Sequence, residues 1–351
     1  MTRLLLGGLL VLLAIGCVPD PEDTSTVNFD RSNLLTIWGN GIIADQEATL
    51  LDLRGLRDQL VLFNEAPGES ERLELLTFAF ELAYERYQEQ SHLIPAEGQA
   101  LRLREQTNTY PTDVAQIQAN MQGTYNLELP SMADAQGLPA LEYLLFAALD
   151  GTGNVPIQTQ PEARDYALAL AERLVDLHQQ TLTALQGNLE AFVANDGNSA
   201  TASIDRTVND LVYSYEKFIR AGKVAIPAGV FSDTPLPDRV EAPYSGLSKD
   251  YLQRALFGLE RTFTDRGLQG YIKALTSGRS GEPLDQAILS QLKTIQGQMR
   301  LLNEDFGEQV RTDNRAMLEL YDEMQRLTVL LKVDMLQALN INVDYIDADG
   351  D

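Results

Sequence analysis

The sequence is poor in the residues from which most enzyme sites are built. It holds one cysteine, two histidines and one tryptophan in 351 residues. A single cysteine excludes an internal disulfide, and two histidines leave little from which to assemble an imidazole-rich zinc site. No Gly-x-Ser-x-Gly elbow occurs. Ser245, within Pro243-Tyr244-Ser245-Gly246, has no neighbouring histidine to activate it. Positive charge is also scarce: 27 Lys+Arg stand against 51 Asp+Glu, a formal net charge of −24. That balance argues against nucleic acid as a partner, since phosphate binding needs a basic face. It suits a chain that tolerates or attracts cations.

What is present first is an address. Met1-Thr2-Arg3 is a short positive head, and Leu4 to Ile15 is an apolar run of signal-peptide length, too short to span a bilayer as a helix. It ends in Ala14-Ile15-Gly16-Cys17, which resembles a bacterial lipobox. On this reading residues 1–16 are a signal peptide and Cys17 is lipidated, anchoring the protein to a membrane. Lipidation explains why the lone thiol sits there. Val18, not Asp, follows Cys17, which in Gram-negative sorting favours the outer membrane, facing the periplasm. Residues 17–30 read as a flexible tether rich in Pro, Asp, Thr and Ser.

Beyond the tether nearly every long segment has helical period. Leu34, Trp38, Ile42, Leu53, Leu56 and Leu60 mark one helix; Leu73, Leu76, Phe80, Tyr84 and Tyr87 mark the next. Pro161 opens a third long one, Ser248 is expected to cap another, and Gly307 to interrupt the pattern that starts at Pro283. Only Ile341 to Ile346 hints at a strand. The fold class is therefore all-α, built of helical bundles. Ile94-Pro95-Ala96 and Ile226-Pro227-Ala228, Gly137-Leu138 and Gly267-Leu268, and the helix starts at Arg31 and Pro161 repeat at nearly one spacing. This suggests two bundles from an internal duplication, at 31–157 and 158–351, with a site in the groove between them.

Three acidic groupings are candidates for chemistry. Glu142 lies among Leu138, Leu145 and Phe146 on its own helix face, where an unpaired carboxylate is expensive. It reads as a ligand or acid/base group, or alternatively as a helix-dipole or salt-bridge partner. Glu81, Glu85, Glu89 and His92 share one helix face, and Glu89-Gln90-Ser91-His92 has the Glu-x-x-His spacing of di-metal bundles. The second copy is missing, because Val175 stands three residues before His178, so a solvated acidic face competes with the metal reading. Asp344, Asp347, Asp349 and Asp351 look like a fragment of a calcium loop without its closing carboxylate, an acidic tail with weak calcium affinity.

The stretch Gly137-Leu138-Pro139-Ala140-Leu141-Glu142 resembles the Gly-x-His-x-x-Glu signature of the imelysin-like proteins, classed as M75 peptidases. Tyr110-Pro111-Thr112-Asp113, the segment Glu241 to Ser248, and the C-terminal run from Leu331 to Asp351 resemble other parts of that family. The resemblance implies two helical bundles with a site between them, in bacterial envelope proteins that are often lipoproteins and in several cases tied to iron acquisition. Gly137 and Glu142 match the motif, whereas Pro139 stands where its histidine belongs. The resemblance implies Tyr110, Asp113, Tyr244 and Ser245 as neighbours of Glu142, and a divalent or ferric ion as the ligand. The leading expectation is a non-enzymatic binding component of iron uptake, with a metal ion or an envelope protein as partner. An M75-type metallopeptidase using His92 or His178 is a second expectation, and an adaptor that takes a protein or peptide in the groove is a third.

Overall fold

The computed structural model describes residues 29–148, 155–277 and 280–344. The leader, Cys17, nearly all of the tether, and Asp347, Asp349 and Asp351 lie outside the described residues. Among the described residues there is no strand, at residues 341–344 or elsewhere, and the fold is all-α. The first part of the chain forms α1 (Arg31–Glu65), α2 (Ser70–Gln90), the short α3 (Ala96–Ala100) and α4 (Leu103–Thr107), α5 (Val114–Gln122) and α6 (Gly137–Phe146). Then come α7 (Pro156–Thr159), α8 (Pro161–Ala194) and α9 (Ser203–Ser214), which runs on into π-helical Tyr215–Ala225 and α10 (Ile226–Ala228). The last part holds α11 (Ser248–Thr264), α12 (Leu268–Thr276), α13 (Leu284–Met299) and α14 (Phe306–Val329). A second π-helical turn, Leu330–Met335, leads into α15 (Leu336–Leu339). No helix among the described residues is long and apolar enough to cross a membrane.

Local chemistry sets the helix ends. Asp30 caps α1 by accepting from the Asn33 N–H at 2.8 Å, and Pro161 occupies the first turn of α8, where its missing N–H costs nothing. The break expected at Gly307 falls instead over residues 300–305. The Asp305 carboxylate accepts from the Gly307 N–H at 2.7 Å and starts α14 there, so Gly307 lies inside the helix. Nor does Ser248 cap α11, which starts after Leu247; the Ser248 hydroxyl donates to the Glu241 carbonyl at 2.6 Å.

Two large apolar cores form, but they do not follow chain order. One gathers Leu53, Leu56, Phe80, Leu141, Tyr166 and Leu170. The other gathers Trp38, Val212, Leu256, Leu292, Met317 and Leu327. Helix α1 buries Leu34, Leu35 and Trp38 in the second core and Leu53, Leu56 and Leu60 in the first. Helix α8 does the same in reverse, with Tyr166 and Leu170 in the first core and Leu185 in the second. A division at residues 157/158 therefore separates neither core. The reason is length: a helix of 35 residues extends about 50 Å, enough to cross both cores.

The π-helical segment also departs from the expected pattern. Pro227 lacks the N–H that the Lys223 carbonyl would take in an α-helix, and the chain is wound wider just before it. The two π segments are tied together where Lys332 Nζ donates to Glu216 at 3.0 Å.

Helix α11 crosses α2 closely at Gly258. A Cβ built there would lie 1.9 Å from the Glu89 carbonyl oxygen, whereas one at Gly187 in α8 would meet nothing within 4 Å. Gly258→Ala is expected to destabilise the fold by roughly 1–3 kcal/mol or more through overpacking. Gly187→Ala should instead stabilise it by about 0.5–1 kcal/mol through helix propensity. Urea denaturation of the two variants checks this, and equal effects would contradict the close crossing.

Candidate functional site

The site begins with the start of α6. Gly137 has φ +77°, and an added Cβ would lie 2.4 Å from the Thr107 carbonyl oxygen, so only glycine fits this turn. Thr107 is itself held from behind. Gln46 Nε2 donates to His178 Nδ1 at 2.9 Å, which leaves Nε2 as the protonated nitrogen, 3.2 Å from the Thr107 hydroxyl. His178 is fully buried, and burial pushes its pKa down to about 3. It is a neutral structural histidine behind the motif's glycine. Pro139 sits in the first turn of α6, buried like every residue from Gly137 to Leu145.

Glu142 has no exposed surface. Its Oε1 accepts three hydrogen bonds from one loop: the Tyr244 N–H at 2.9 Å, the Ser245 N–H at 2.7 Å and the Ser245 hydroxyl at 2.8 Å. Its Oε2 has no hydrogen-bond partner. Burial pushes the Glu142 pKa up to about 7, against the three bonds from Ser245 and Tyr244 that favour the charged form; the charge of Glu241 adds to the rise. The loop is shaped to present those donors, with Ala242 at φ 58° and Gly246 at φ +73°. The Tyr244 ring packs edge-on against Tyr143, with centroids 5.4 Å apart.

A second buried carboxylate anchors the same loop. Glu241 Oε1 accepts from Gln88 Nε2 and Asn108 Nδ2, each at 2.7 Å, and from the Tyr84 hydroxyl at 3.2 Å. Its Oε2 is paired with Lys223, which also donates to Gln88 Oε1 at 2.8 Å. Burial holds the Lys223 pKa below the ordinary lysine value, opposed by its attraction to Glu241. Tyr251, whose ring centroid lies 4.2 Å from that of Tyr84, has a buried hydroxyl with no hydrogen-bond partner, like Glu142 Oε2.

The structure thus brings Tyr244 and Ser245 to Glu142. Tyr110 joins the Glu241 cluster: a Cβ on Gly222 of the π segment would lie 3.0 Å from its hydroxyl, and burial, then Glu241, raise the phenol above its ordinary value. Asp113 is a helix cap, accepting from the Gln116 N–H at 2.9 Å at the start of α5. On the Glu85–Glu89–His92 face the carboxylates are held in ion pairs. Arg254 pairs with Glu85 at 2.5 Å and with Glu89 at 3.1 Å, and Arg86 pairs with Glu89 at 3.1 Å. His92 is buried, bonded to the Thr262 hydroxyl at 2.7 Å, with its pKa pushed down to about 3 chiefly by burial. Among the described residues, no group of three or more His, Cys, Asp or Glu side chains could hold a metal ion. Asp344 meets Asn209 through its backbone N–H at 3.4 Å.

An all-α protein with a Gly-x-x-x-x-Glu helix start whose carboxylate is turned onto a loop from a distant part of the chain defines the class. The family model for imelysin, Peptidase M75, matches residues 65–332, and the chain belongs to that family. A crystal structure of an imelysin-like protein from Psychrobacter arcticum 273-4 has a similar fold, with a TM-score of 0.73 at 18% identity, covering 92% of this chain and 100% of that one. A second, titled "putative iron-regulated protein A precursor", from Parabacteroides distasonis ATCC 8503, gives a TM-score of 0.71 at 13% identity, covering 88% of this chain and 95% of that one. No curated protein matches the chain.

The buried acid makes a pH prediction. A Glu142 pKa raised to about 7 in the folded state, from an ordinary 4.5, binds its proton more tightly folded than unfolded. Its contribution to stability is full below 4.5 and is lost as pH rises through about 7. Glu142→Gln keeps an acceptor for the three donors and cannot ionise. It should therefore gain stability relative to wild type between pH 4.5 and about 7. Melting curves across that range test this, and parallel pH profiles for the two proteins would contradict it.

Proposed function

We propose that the protein is a non-enzymatic binding component of the bacterial cell envelope, linked to iron uptake and held by lipid on Cys17 at the outer membrane, facing the periplasm. The lipobox-like Ala14–Cys17 supports the address. The family, together with a structural relative described as iron-regulated, supports the link to iron. The observation that carries the non-enzymatic reading is the use made of Glu142. In place of a histidine the motif offers Pro139, and the carboxylate accepts from Tyr244 and Ser245. A metallopeptidase needs imidazole or carboxylate ligands with an open position for water. The two histidines are bonded inside the cores to Thr262, Gln46 and Thr107, away from any shared ligand position. Glu142 Oε2 and Tyr251 Oη both lack a hydrogen-bond partner, and the charge of Glu142 acts on the Tyr251 phenol. They are hard donors, suited to a hard cation, but too few for a resident metal.

The test pairs binding with activity. Ferrous, ferric, zinc and calcium ions are titrated calorimetrically against wild type and Glu142→Gln, and peptide hydrolysis is followed with and without zinc. The expected result is no zinc-dependent cleavage, with any cation binding confined to hard ions and reduced by Glu142→Gln. Zinc-dependent hydrolysis abolished by Glu142→Gln would overturn the reading in favour of a peptidase.

A further inference from the structure

A separate cavity of about 560 Å³ lies against the second core, away from Glu142. Its volume is within the range of about 300–1,000 Å³ usual for small-molecule sites. One wall is apolar: Ile42 and Ile43 of α1, Leu93, and Leu185, Leu189 and Phe192 of α8. The other is polar and comes mainly from α9, with Thr207, Asn209, Asp210 and Tyr213. Exposed residues Asn188, Ala191 and Arg206 stand on the lining, so the cavity is reached from solvent.

Arg104 is the buried cation of the polar wall, only 7% exposed. It forms an ion pair with Asp210 at 3.7 Å. Asp210 is meanwhile engaged elsewhere: Oδ2 accepts from the Ile94 N–H at 2.6 Å and Oδ1 from Gln99 Nε2 at 3.1 Å. The Arg104 guanidinium also bonds the Ser214 hydroxyl and lies 4.4 Å from the Phe218 ring centroid. Its Nε–H has no acceptor, which is costly for a buried donor. A guanidinium with an unfilled donor, an exposed arginine on the same lining and an apolar wall opposite together describe a ligand with an oxygen-rich head and an apolar body.

We propose that this cavity is a second binding site, taking a monoanionic amphiphile whose carboxylate meets Arg104 and Arg206 and whose hydrocarbon lies along Ile42, Ile43, Leu189 and Phe192. Charge-assisted bonds to a guanidinium are strong enough to select the head. Glu97, Glu105, Asp210 and Asp344 on the lining would favour the opposite charge, so a cation of equal chain length is the informative competitor. The inference does not depend on the role given to Glu142.

The experiment titrates dodecanoate and dodecyltrimethylammonium, each below its micelle concentration, into the whole protein by calorimetry. Dodecanoate is expected to bind at one per chain and more tightly than the cation. Arg206→Ala, an exposed change, should weaken dodecanoate by roughly tenfold, the loss of one charge-assisted contact. Ala191→Trp, which fills the cavity from its exposed side, should abolish binding, and Glu142→Gln should leave it unchanged. Circular dichroism confirms that each variant is folded. Absence of dodecanoate binding, tighter binding of the cation, or binding indifferent to Ala191→Trp would each overturn the proposal.

Discussion

The structure depends on how two buried carboxylates are provided for in a chain with few positive charges. Glu142 and Glu241 both act on the loop at residues 241–248, one by accepting its N–H groups and the other by standing at its start. Lys223 supplies the only formal positive charge in direct contact with Glu241 among the described residues, and neutral donors from Tyr84, Gln88 and Asn108 do the rest. Removing one member of such a buried set leaves the others unsatisfied, so the cluster behaves as a unit. Its members come from α2, the segment after α4, the π-helical turn and the loop itself. The cluster therefore ties together parts of the chain that are far apart in sequence.

In this chain the family motif is tied to that loop. A glycine that no other residue could replace and a buried glutamate remain, but the glutamate's work is to hold a loop. Its raised pKa follows from the same cause, since three donors on one oxygen do not compensate for burial. The helix start at Gly137 is supported through Thr107 by a neutral histidine, so one of the chain's two histidines is used for architecture at the very motif that lacks one. Membership of the family does not by itself fix the chemistry, because function resides in the site.

The helices and the family were legible because apolar period and motif spacing are local properties. The isolated burial of Glu142 was legible for the same reason: its apolar neighbours at i−4, i+3 and i+4 lie on its own helix. Glu241 and Lys223 were not. Glu241 sits in a loop with no period, and Lys223 lies in a π-helical turn, where the 3.6-residue rule misplaces side chains. The acidic face of α2 misled for another reason. Arg254, which neutralises Glu85 and Glu89, lies far along the chain on α11, and no pattern within α2 announces it. The order of the cores was hidden likewise, because a long amphipathic helix looks the same whether it serves one core or two.

Glu142 acts as a clasp on the 241–248 loop through its bonds to Tyr244 and Ser245. Amide hydrogen exchange at Tyr244 and Ser245, compared between wild type and Glu142→Ala, tests it most directly. Slow exchange is expected at both amides in wild type and markedly faster exchange in the variant, with the helices α1 and α8 remaining protected. Unchanged protection of those two amides in a folded Glu142→Ala protein would show that the loop is held by something else and would contradict the account.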